Sequence, residues 1–82
     1  MVDTPTDLLK RITLNPDILF GKPSIRNMRY PVAMILDLLA AGMTNEEILG
    51  DYPDLEIEDI QACLAFAAQL ATVSSVTKVK AA

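Results

Sequence analysis

Residues 31–42 constrain the fold more than any other part of this sequence. The segment starts at Pro31, which suits the first position of a helix, and ends at Gly42, which suits the left-handed residue that closes one. Between them apolar residues recur at helical spacing and only Asp37 is charged, and a helix that is apolar on nearly every face is normally buried on nearly every face. We therefore predict a central helix, or one that forms part of a subunit interface. Its inward face is expected to contain Val32, Ile35, Leu36 and Leu39.

Two further helices are predicted after this one. Thr44 and Glu47 have the spacing of a capping box, in which the side chain of each residue accepts the backbone N–H of the other, and a short helix follows. Pro53 cannot continue that helix, so a tight connection leads to a longer helix over about residues 56–70. The core face of the longer helix is expected to contain Ile57, Ile60, Leu64 and Ala67 or Ala68. Three helices, the last two joined by a tight turn, form a helix-turn-helix-like unit.

Two short extended segments are predicted before the helices. Residues 11–20 place aliphatic side chains on both sides of an Asn15-Pro16-Asp17 turn, and residues 24–30 follow a Gly-Lys-Pro break. These segments could pair within one chain or between two chains. The predicted fold is therefore mainly α, a three-helix body preceded by two short N-terminal β-strands. The expected divisions are an N-terminal lead (1–10), a single helix-turn-helix-like domain (11–71) and a flexible or extended C-terminal tail (72–82).

Size and charge favour a dimer whose parts differ electrostatically. A chain of 82 residues buries only about 60% of the surface that its unfolded form exposes, so a second copy would add stability. The net charge is −4, but residues 1–30 carry five Lys or Arg against three acids, whereas residues 31–71 carry eight acids and no Lys or Arg. We therefore expect a homodimer with an anion-facing N-terminal part and an acidic helical body.

The sequence indicates a cytoplasmic protein. No apolar run approaches the roughly 18 residues that a membrane span needs, so no membrane association is expected. The N-terminal residues have neither the basic leader nor the apolar core of a signal peptide. The single cysteine, Cys63, cannot form an internal disulfide, which fits a reducing compartment.

The chain offers little for catalysis, and we expect neither enzyme activity nor a cofactor. It contains no histidine, Cys63 lies inside an apolar helical pattern, and no serine neighbours a residue suited to act as its base. The acids of residues 51–59 lack the glycine and the ligand spacing of a calcium loop, and helix capping explains several of them. No metal site is predicted.

Five cations near the N-terminus are the candidate contacts for an anion. Guanidinium groups on a stiff ribbon suit phosphate geometry, although the segment lacks the spacing of a nucleotide-binding P-loop. The alternative is a hairpin whose charges only keep its outer face solvated. The last predicted helix begins with acids that phosphates would repel, so the basic ribbon, rather than that helix, would contact DNA. The five candidates are Lys10, Arg11, Lys22, Arg26 and Arg29.

Three ordered motifs extend over about residues 11–68. They are Gly21-Lys22-Pro23-x-Ile25-Arg26-x-x-Arg29-x-Pro31-Val32, then Ile35-Leu36-x-Leu38-Leu39-Ala40-x-Gly42-Met43-Thr44-x-Glu46-Glu47-Ile48-Leu49-x-Asp51-Tyr52-Pro53-x-Leu55, and last Glu58-Asp59-Ile60-x-Ala62-x-Leu64. Together they resemble the domain-of-unknown-function 433 family. That family usually has Gly-Thr where Asn27-Met28 stands here, and Asn is the next best residue after Gly for a left-handed turn.

The resemblance implies a bacterial antitoxin. Proteins of this family are small and bacterial, often cyanobacterial, with a homeodomain-like helix-turn-helix body preceded by short strands. They are commonly encoded beside a PIN-like ribonuclease and are regarded as VapB-like antitoxins of type II toxin–antitoxin pairs. Such nucleases hold magnesium in a carboxylate cluster, which Arg26, Arg29, or Lys78 and Lys80 of the tail could enter and block. The same cations could bind operator DNA when the complex represses its own promoter.

The antitoxin interpretation also needs an apolar contact surface, which the helix of residues 32–41 could supply. The residues expected at a dimer or partner interface are Ile25, Tyr30, Val32, Ile35 and Leu39. The alternative is a dimeric structural or interaction module with no nucleic-acid role. That alternative predicts no salt-dependent DNA binding and no co-purifying nuclease.

Overall fold

The computed structural model describes residues 5–72, and the side chains from Asp7 onward. The tail cations Lys78 and Lys80 lie outside the described residues. The chain is mainly helical and has a two-stranded antiparallel sheet, as the sequence predicts. The elements are α1 (Pro5–Leu9), β1 (Ile12–Thr13), β2 (Ser24–Ile25), α2 (Val32–Ala40), α3 (Asn45–Asp51) and α4 (Ile57–Ala71), with a single helical turn at Leu19–Gly21 between the strands.

The two strands pair within one chain, which decides between the alternatives that the sequence leaves open. Ile12 lies opposite Ile25, and Thr13 lies opposite Ser24. Ile25 and Ser24 are both fully buried, and the Thr13 and Ser24 hydroxyl oxygens are 3.1 Å apart. The sheet therefore contributes one apolar residue and one satisfied polar pair to the interior.

The second strand is shorter than the predicted segment of residues 24–30, because the chain reverses directly after Ile25. The N–H of Met28 donates to the Ile25 carbonyl at 2.7 Å, and the two residues between them, Arg26 and Asn27, have φ of 46° and 58°. Two successive positive φ values are typical of the tight turns that join short antiparallel strands. The expectation that Asn27 supports a left-handed backbone is confirmed.

Helix α1 was not predicted, because five residues are too few to show a helical period. It lies within the segment treated as a lead and packs against α4, where it buries Leu8. The described body therefore contains four helices rather than three.

Helix α2 ends at the predicted glycine. Gly42 has φ of +99°, its N–H donates to the Leu39 carbonyl at 3.0 Å, and the N–H of Met43 donates to the Leu38 carbonyl at 3.1 Å. These two bonds form a Schellman motif, which satisfies carbonyls that the end of a helix leaves without partners. At the other end, Pro31 is extended and immediately precedes the helix rather than forming its first residue.

Within a single copy α2 is not buried on nearly every face, so the alternative of a subunit interface stays a prediction. Val32 and Ile35 are buried, whereas Ala33, Asp37 and Ala40 are exposed. The other α2 residues, Met34, Leu36, Leu38 and Leu39, are half-buried. A single copy of the described body covers one face of this helix and leaves apolar surface on the others.

Helix α3 begins with the predicted capping box. The N–H of Glu47 donates to Thr44 Oγ1 at 3.1 Å, and the N–H of Thr44 donates to Glu47 Oε1 at 2.8 Å. Residues 52–56 then connect α3 to α4, and Leu55 from this connection is buried in the core.

Helix α4 packs against each of the other helices and against β1. Its buried residues are Asp59, Ile60, Ala62 and Cys63. Ile60 confirms the predicted core face, but Leu64 is 48% exposed, so that part of the prediction is wrong. The reason is that α1 and β1 share the inward face of α4, which brings Asp59 and Ala62 inside. The rest of the core cluster consists of Ile25, Val32, Ile35, Ile48 and Leu55.

Gly42 and Gly50 offer a matched test of backbone strain. At either residue an added Cβ would meet no heavy atom within 4 Å, so only the backbone conformation matters. Gly42→Ala should lower the free energy of unfolding by about 1 kcal/mol, because it forces a left-handed φ on alanine. Gly50→Ala should raise it by about 0.5–1 kcal/mol, because Gly50 lies inside α3 without a positive φ. Urea denaturation measures both, and changes of the same sign would contradict this account.

Candidate functional site

A cluster of charged side chains joins the β-hairpin, formed by β1 and β2, to the start of α4. Arg26 donates from Nε to Asp59 Oδ1 at 2.9 Å and from Nη2 to Asp59 Oδ2 at 2.6 Å. Arg11 donates from Nη1 to Asp59 Oδ1 at 3.1 Å and to Glu56 Oε1 at 2.8 Å. The N–H of Glu56 donates to Asp59 Oδ2 at 2.8 Å. Both oxygens of the fully buried Asp59 carboxylate therefore have charged donors, and we refer to Arg11, Arg26, Glu56 and Asp59 as the Asp59 cluster.

Local structure brings these distant residues together. Arg11 immediately precedes β1, and Arg26 follows β2, so the antiparallel pairing places both arginines at the same end of the sheet. The N–H of Arg26 also donates to the Arg11 carbonyl at 2.8 Å. Asp59 lies in the first turn of α4, where a capping box with Glu56 fixes its carboxylate.

The cluster shifts the pKa of Asp59, Arg11 and Arg26 in the direction that keeps each of them charged. Burial alone would raise the pKa of Asp59, but hydrogen bonds from Arg26, the Glu56 N–H and Arg11 outweigh it and hold that pKa below its usual value. The hydrogen bond to Glu56 raises the pKa of Arg11, and the hydrogen bond to Asp59 raises that of Arg26. Asp59, Arg11 and Arg26 are therefore ionised at neutral pH and form a clamp around a buried carboxylate.

The lowered pKa of Asp59 gives the protein a specific acid sensitivity. A carboxylate whose pKa falls on folding stabilises the native state above its unfolded pKa, about 4, and that contribution disappears as the pH falls through the folded pKa. We expect urea denaturation to show this loss below about pH 4 in the wild type. Asp59→Asn should flatten the same part of the profile, and parallel profiles for the two proteins would contradict the assignment.

The other predicted anion contacts lie apart from this cluster. Lys10 is exposed and pairs with Asp7 at 3.7 Å. Lys22 and Arg29 are exposed, and neither forms an ion pair with another residue of the described range 5–72. Of the five cations, Arg11 and Arg26 therefore bind the buried carboxylate of Asp59. Lys22 and Arg29 are available to an acidic group of another molecule.

The residues predicted for an interface separate into two groups. Ile25, Val32 and Ile35 lie inside the core of the protomer, which corrects their assignment, because they present almost no surface to a partner. Leu39 is half-buried and so still accessible in part. Tyr30 is also half-buried.

Tyr30 is held in place by two contacts from the connection between α3 and α4. Its ring packs edge-on against Tyr52, with centroids 5.7 Å apart, and its hydroxyl donates to Asp54 Oδ2 at 3.3 Å. Burial and the Asp54 carboxylate raise the pKa of Tyr30. The hydroxyl therefore acts as a neutral donor at physiological pH.

An apolar groove of about 350 Å³ opens between α2, the end of α4 and the loops that flank β2 and α2. Lys22 is the one charged residue among those that line it. The sequence predicts that α2 supplies such a groove, and α2 does form one wall. The remaining lining residues are Pro23, Pro31, Val32, Ala33, Leu36, Phe66, Ala67 and Leu70.

A left-handed turn beside the groove was missed by sequence reasoning. Leu19, Phe20 and Gly21 have φ of 53°, 57° and 84°, and bulky residues rarely adopt positive φ. The Phe20 side chain is nevertheless 96% exposed. The available signal was Gly21 directly after an apolar run, since glycine tolerates such a backbone and often ends one.

The described residues show no arrangement suited to nucleophilic or metal chemistry. Burial, followed by the charge of Asp59, raises the pKa of Cys63 to about 12, so its reactive thiolate form is scarce at neutral pH. Within residues 5–72 no group of three or more His, Cys, Asp or Glu is placed to hold a metal ion. None of the helices in that range has the length and hydrophobicity needed to cross a bilayer.

The fold and these surfaces define a small, mainly helical protein with an internal ionic clamp, an apolar groove and two open cations. The family described as "Protein of unknown function (DUF433)" matches residues 12–67, and the chain belongs to this family. The chain is also similar to "Uncharacterized protein y4eO" of Sinorhizobium fredii (strain NBRC 101917 / NGR234), with 38% identity over 56 residues. That match covers 68% of this chain but spans only a quarter of the relative's length (25%). No solved structure matches the chain significantly.

Proposed function

We propose that this protein is a cytoplasmic, non-enzymatic antitoxin that binds and inhibits a PIN-like ribonuclease encoded nearby. The observation that carries the proposal is an apolar groove whose lining includes an exposed lysine, Lys22, that forms no ion pair with another residue of the described range. A nuclease that holds magnesium between carboxylates is inhibited by a cation placed among them, and an apolar contact holds that cation in position. In this proposal α2, α3 and α4 form the homeodomain-like helix-turn-helix body of a VapB-like antitoxin.

The cations that act on the nuclease are Lys22 and Arg29. Arg26, an earlier candidate, already makes two hydrogen bonds to Asp59 and a third to the Asp54 carbonyl. Its transfer to an external carboxylate would leave Asp59 buried with fewer partners, which is unfavourable. Lys22 and Arg29 need no such exchange, because neither pairs with another described residue.

Operator binding, which would allow autoregulation, uses the same open cations. The first turn of α4 carries Glu58 and Asp59 next to Glu56, so this helix is poorly suited to the major groove. A homodimer presents two copies of the exposed Arg29. The affinity for DNA should then fall with rising salt. The logarithm of the binding constant should decrease with the logarithm of the salt concentration, with a slope of about −0.9 for each phosphate contacted.

Co-expression with the product of the neighbouring gene tests the antitoxin role. The tagged full-length chain is purified, and RNA cleavage by the neighbour is measured with and without it. We expect a stable complex in which cleavage is silenced. Failure to form a complex, together with unchanged cleavage, would exclude this function.

A second candidate is a dimeric interaction module with no nucleic-acid role. The observation that favours it is the Asp59 cluster, because two of the five N-terminal cations serve an internal acid. This candidate predicts no DNA binding even at low salt. Fluorescence anisotropy with the promoter region of the protein's own gene separates it from autoregulation.

A further inference from the structure

The backbone that carries the exposed ring of Phe20 is held in a defined position. Its turn is closed by three backbone hydrogen bonds, from Ile18 to Asn15 at 2.9 Å, from Gly21 to Ile18 at 3.1 Å and from Lys22 to Leu19 at 3.1 Å. A phenylalanine at positive φ is strained, and such strain is commonly retained where it serves a function. An aromatic side chain on such a backbone has only two side-chain torsions to lose when it binds, so it is a suitable anchor for an interface.

The groove is a chemically suitable receptor for such a ring. Its lining is apolar apart from Lys22 and includes the ring of Phe66, which can contact a second aromatic side chain. Phe20 precedes Lys22 and Pro23, two residues of the groove's own edge, by only two and three positions. A two-fold axis near that edge therefore lets each of two copies place Phe20 in the groove of the other.

The charges of the two surfaces are complementary. The segment that carries Phe20, residues 15–21, has one charged residue, Asp17, which is exposed. The groove has one charged residue, Lys22. Neither side chain forms an ion pair with another residue in the described range, so both are available across an interface. The two-fold arrangement repeats the opposite-charge contact on both sides of the axis.

We propose that the groove receives Phe20 of a second copy of this chain, in a symmetric dimer with Asp17 of each copy near Lys22 of the other. Two phenylalanine rings and the groove walls that they cover bury roughly 600–1,000 Å². That area is below the 1,200–2,000 Å² of stable interfaces, so the dimer is weak and depends on concentration. The inference rests on the homodimer of the proposed function and deepens it. The nuclease and Phe20 of the second copy use the same groove and the same Lys22, so this weak dimer is the form without nuclease, and binding of the nuclease displaces Phe20.

Sedimentation equilibrium of the full chain over a range of concentrations tests this dimer. Phe20→Ala should raise the dimer dissociation constant roughly 30-fold, as expected for a central aromatic anchor. The matched control is Leu14→Ala, because Leu14 is 63% exposed but lies outside both the turn and the groove. Phe20→Asn should weaken the dimer equally while raising the melting temperature of the monomer, since Asn accepts positive φ more readily. Loss of dimerisation in that variant cannot then be attributed to unfolding.

Charge exchange tests the orientation of the dimer. Asp17→Lys and Lys22→Asp should each weaken association, and the double variant should recover most of it. A wild type that stays monomeric at every concentration, equal dimerisation of Phe20→Ala and Leu14→Ala, or a double variant weaker than both single variants would each overturn the proposal. Nuclease inhibition is measured in a separate assay, so failure of the dimer and failure of the antitoxin role give different results.

Discussion

Asp59→Asn should lower the free energy of unfolding by about 2–3 kcal/mol, because it replaces charged hydrogen bonds at a buried position, while the arginines left behind are 25% and 36% exposed and can hydrate. The asparagine amide has almost the same shape as the carboxylate, so packing is retained, and the loss of the charge and of one acceptor oxygen accounts for the effect. Arg11 and Arg26 would face a neutral group at the point where both now bind a carboxylate. The β-hairpin would then lose its main polar attachment to α4. A loss of this size is a large fraction of the total stability of a small domain.

Urea denaturation with Asp37→Asn as the matched control measures this effect. Asp37 is exposed on α2 and takes part in no ion pair with another described residue, so the same chemical change there should alter stability by less than about 0.5 kcal/mol. If the two variants lost equal stability, the Asp59 cluster would not be the attachment between the hairpin and α4.

Replacement of Lys22 and Arg29 together by glutamine should weaken binding of the partner nuclease about 100-fold. Exposed cations that become central contacts of an interface commonly contribute about 2 kcal/mol or more, and two such residues near one carboxylate cluster do not act additively. Neither residue has an ionic partner in the described part of the chain, so its removal should leave folding unchanged. Calorimetric titration of the nuclease measures the affinity, and thermal melting measures the folding.

Two further variants show whether the position of the charge matters. Lys10→Gln removes an exposed cation that pairs only weakly with Asp7, and it should bind the nuclease as the wild type does. Arg26→Gln should lose stability, because it breaks the Asp59 cluster, but it should still bind the nuclease at a temperature at which it is folded. Weakened binding by the folded variant would contradict a purely structural role for that arginine.

The sequence predicts those features of the fold that depend on local chemistry. Gly42 ends α2, Thr44 and Glu47 cap α3, and Asn27 takes a left-handed conformation, because each of these depends on residues only a few positions apart. The mainly helical class and the pair of short strands follow from hydrophobic period and turn residues in the same way.

Features that depend on distant residues could not be predicted. Asp59 has the pattern of an ordinary helix N-terminal acid, and nothing nearby in the sequence indicates two arginines that lie 33 and 48 residues away. The face of α4 that turns inward, and so leaves Leu64 exposed, depends on packing against α1. Helix α1 is too short to show a helical period in the sequence. The sequence leaves the basic segment as either an arm for an external anion or a hairpin with a solvated face, and neither alternative includes the internal acid that Arg11 and Arg26 bind.

The groove and the turn of Phe20 also combine features that nearby residues determine with features that only the folded structure shows. The apolar character of α2 predicts a contact surface, but the walls supplied by Phe66 and Leu70 become visible only once α4 is placed beside it. Gly21 indicates a left-handed residue at its own position, but no residue preference indicates that Leu19 and Phe20 before it share that conformation.

The most direct test of the account is a titration of the neighbouring nuclease, followed by RNA cleavage, with the wild type and with the Lys22→Gln/Arg29→Gln variant at equal thermal stability. The account predicts that the wild type silences cleavage at a one-to-one ratio and that the variant leaves most of the activity intact. Equal inhibition by both proteins would contradict it, because the open cations would then have no part in the action of this protein on its partner.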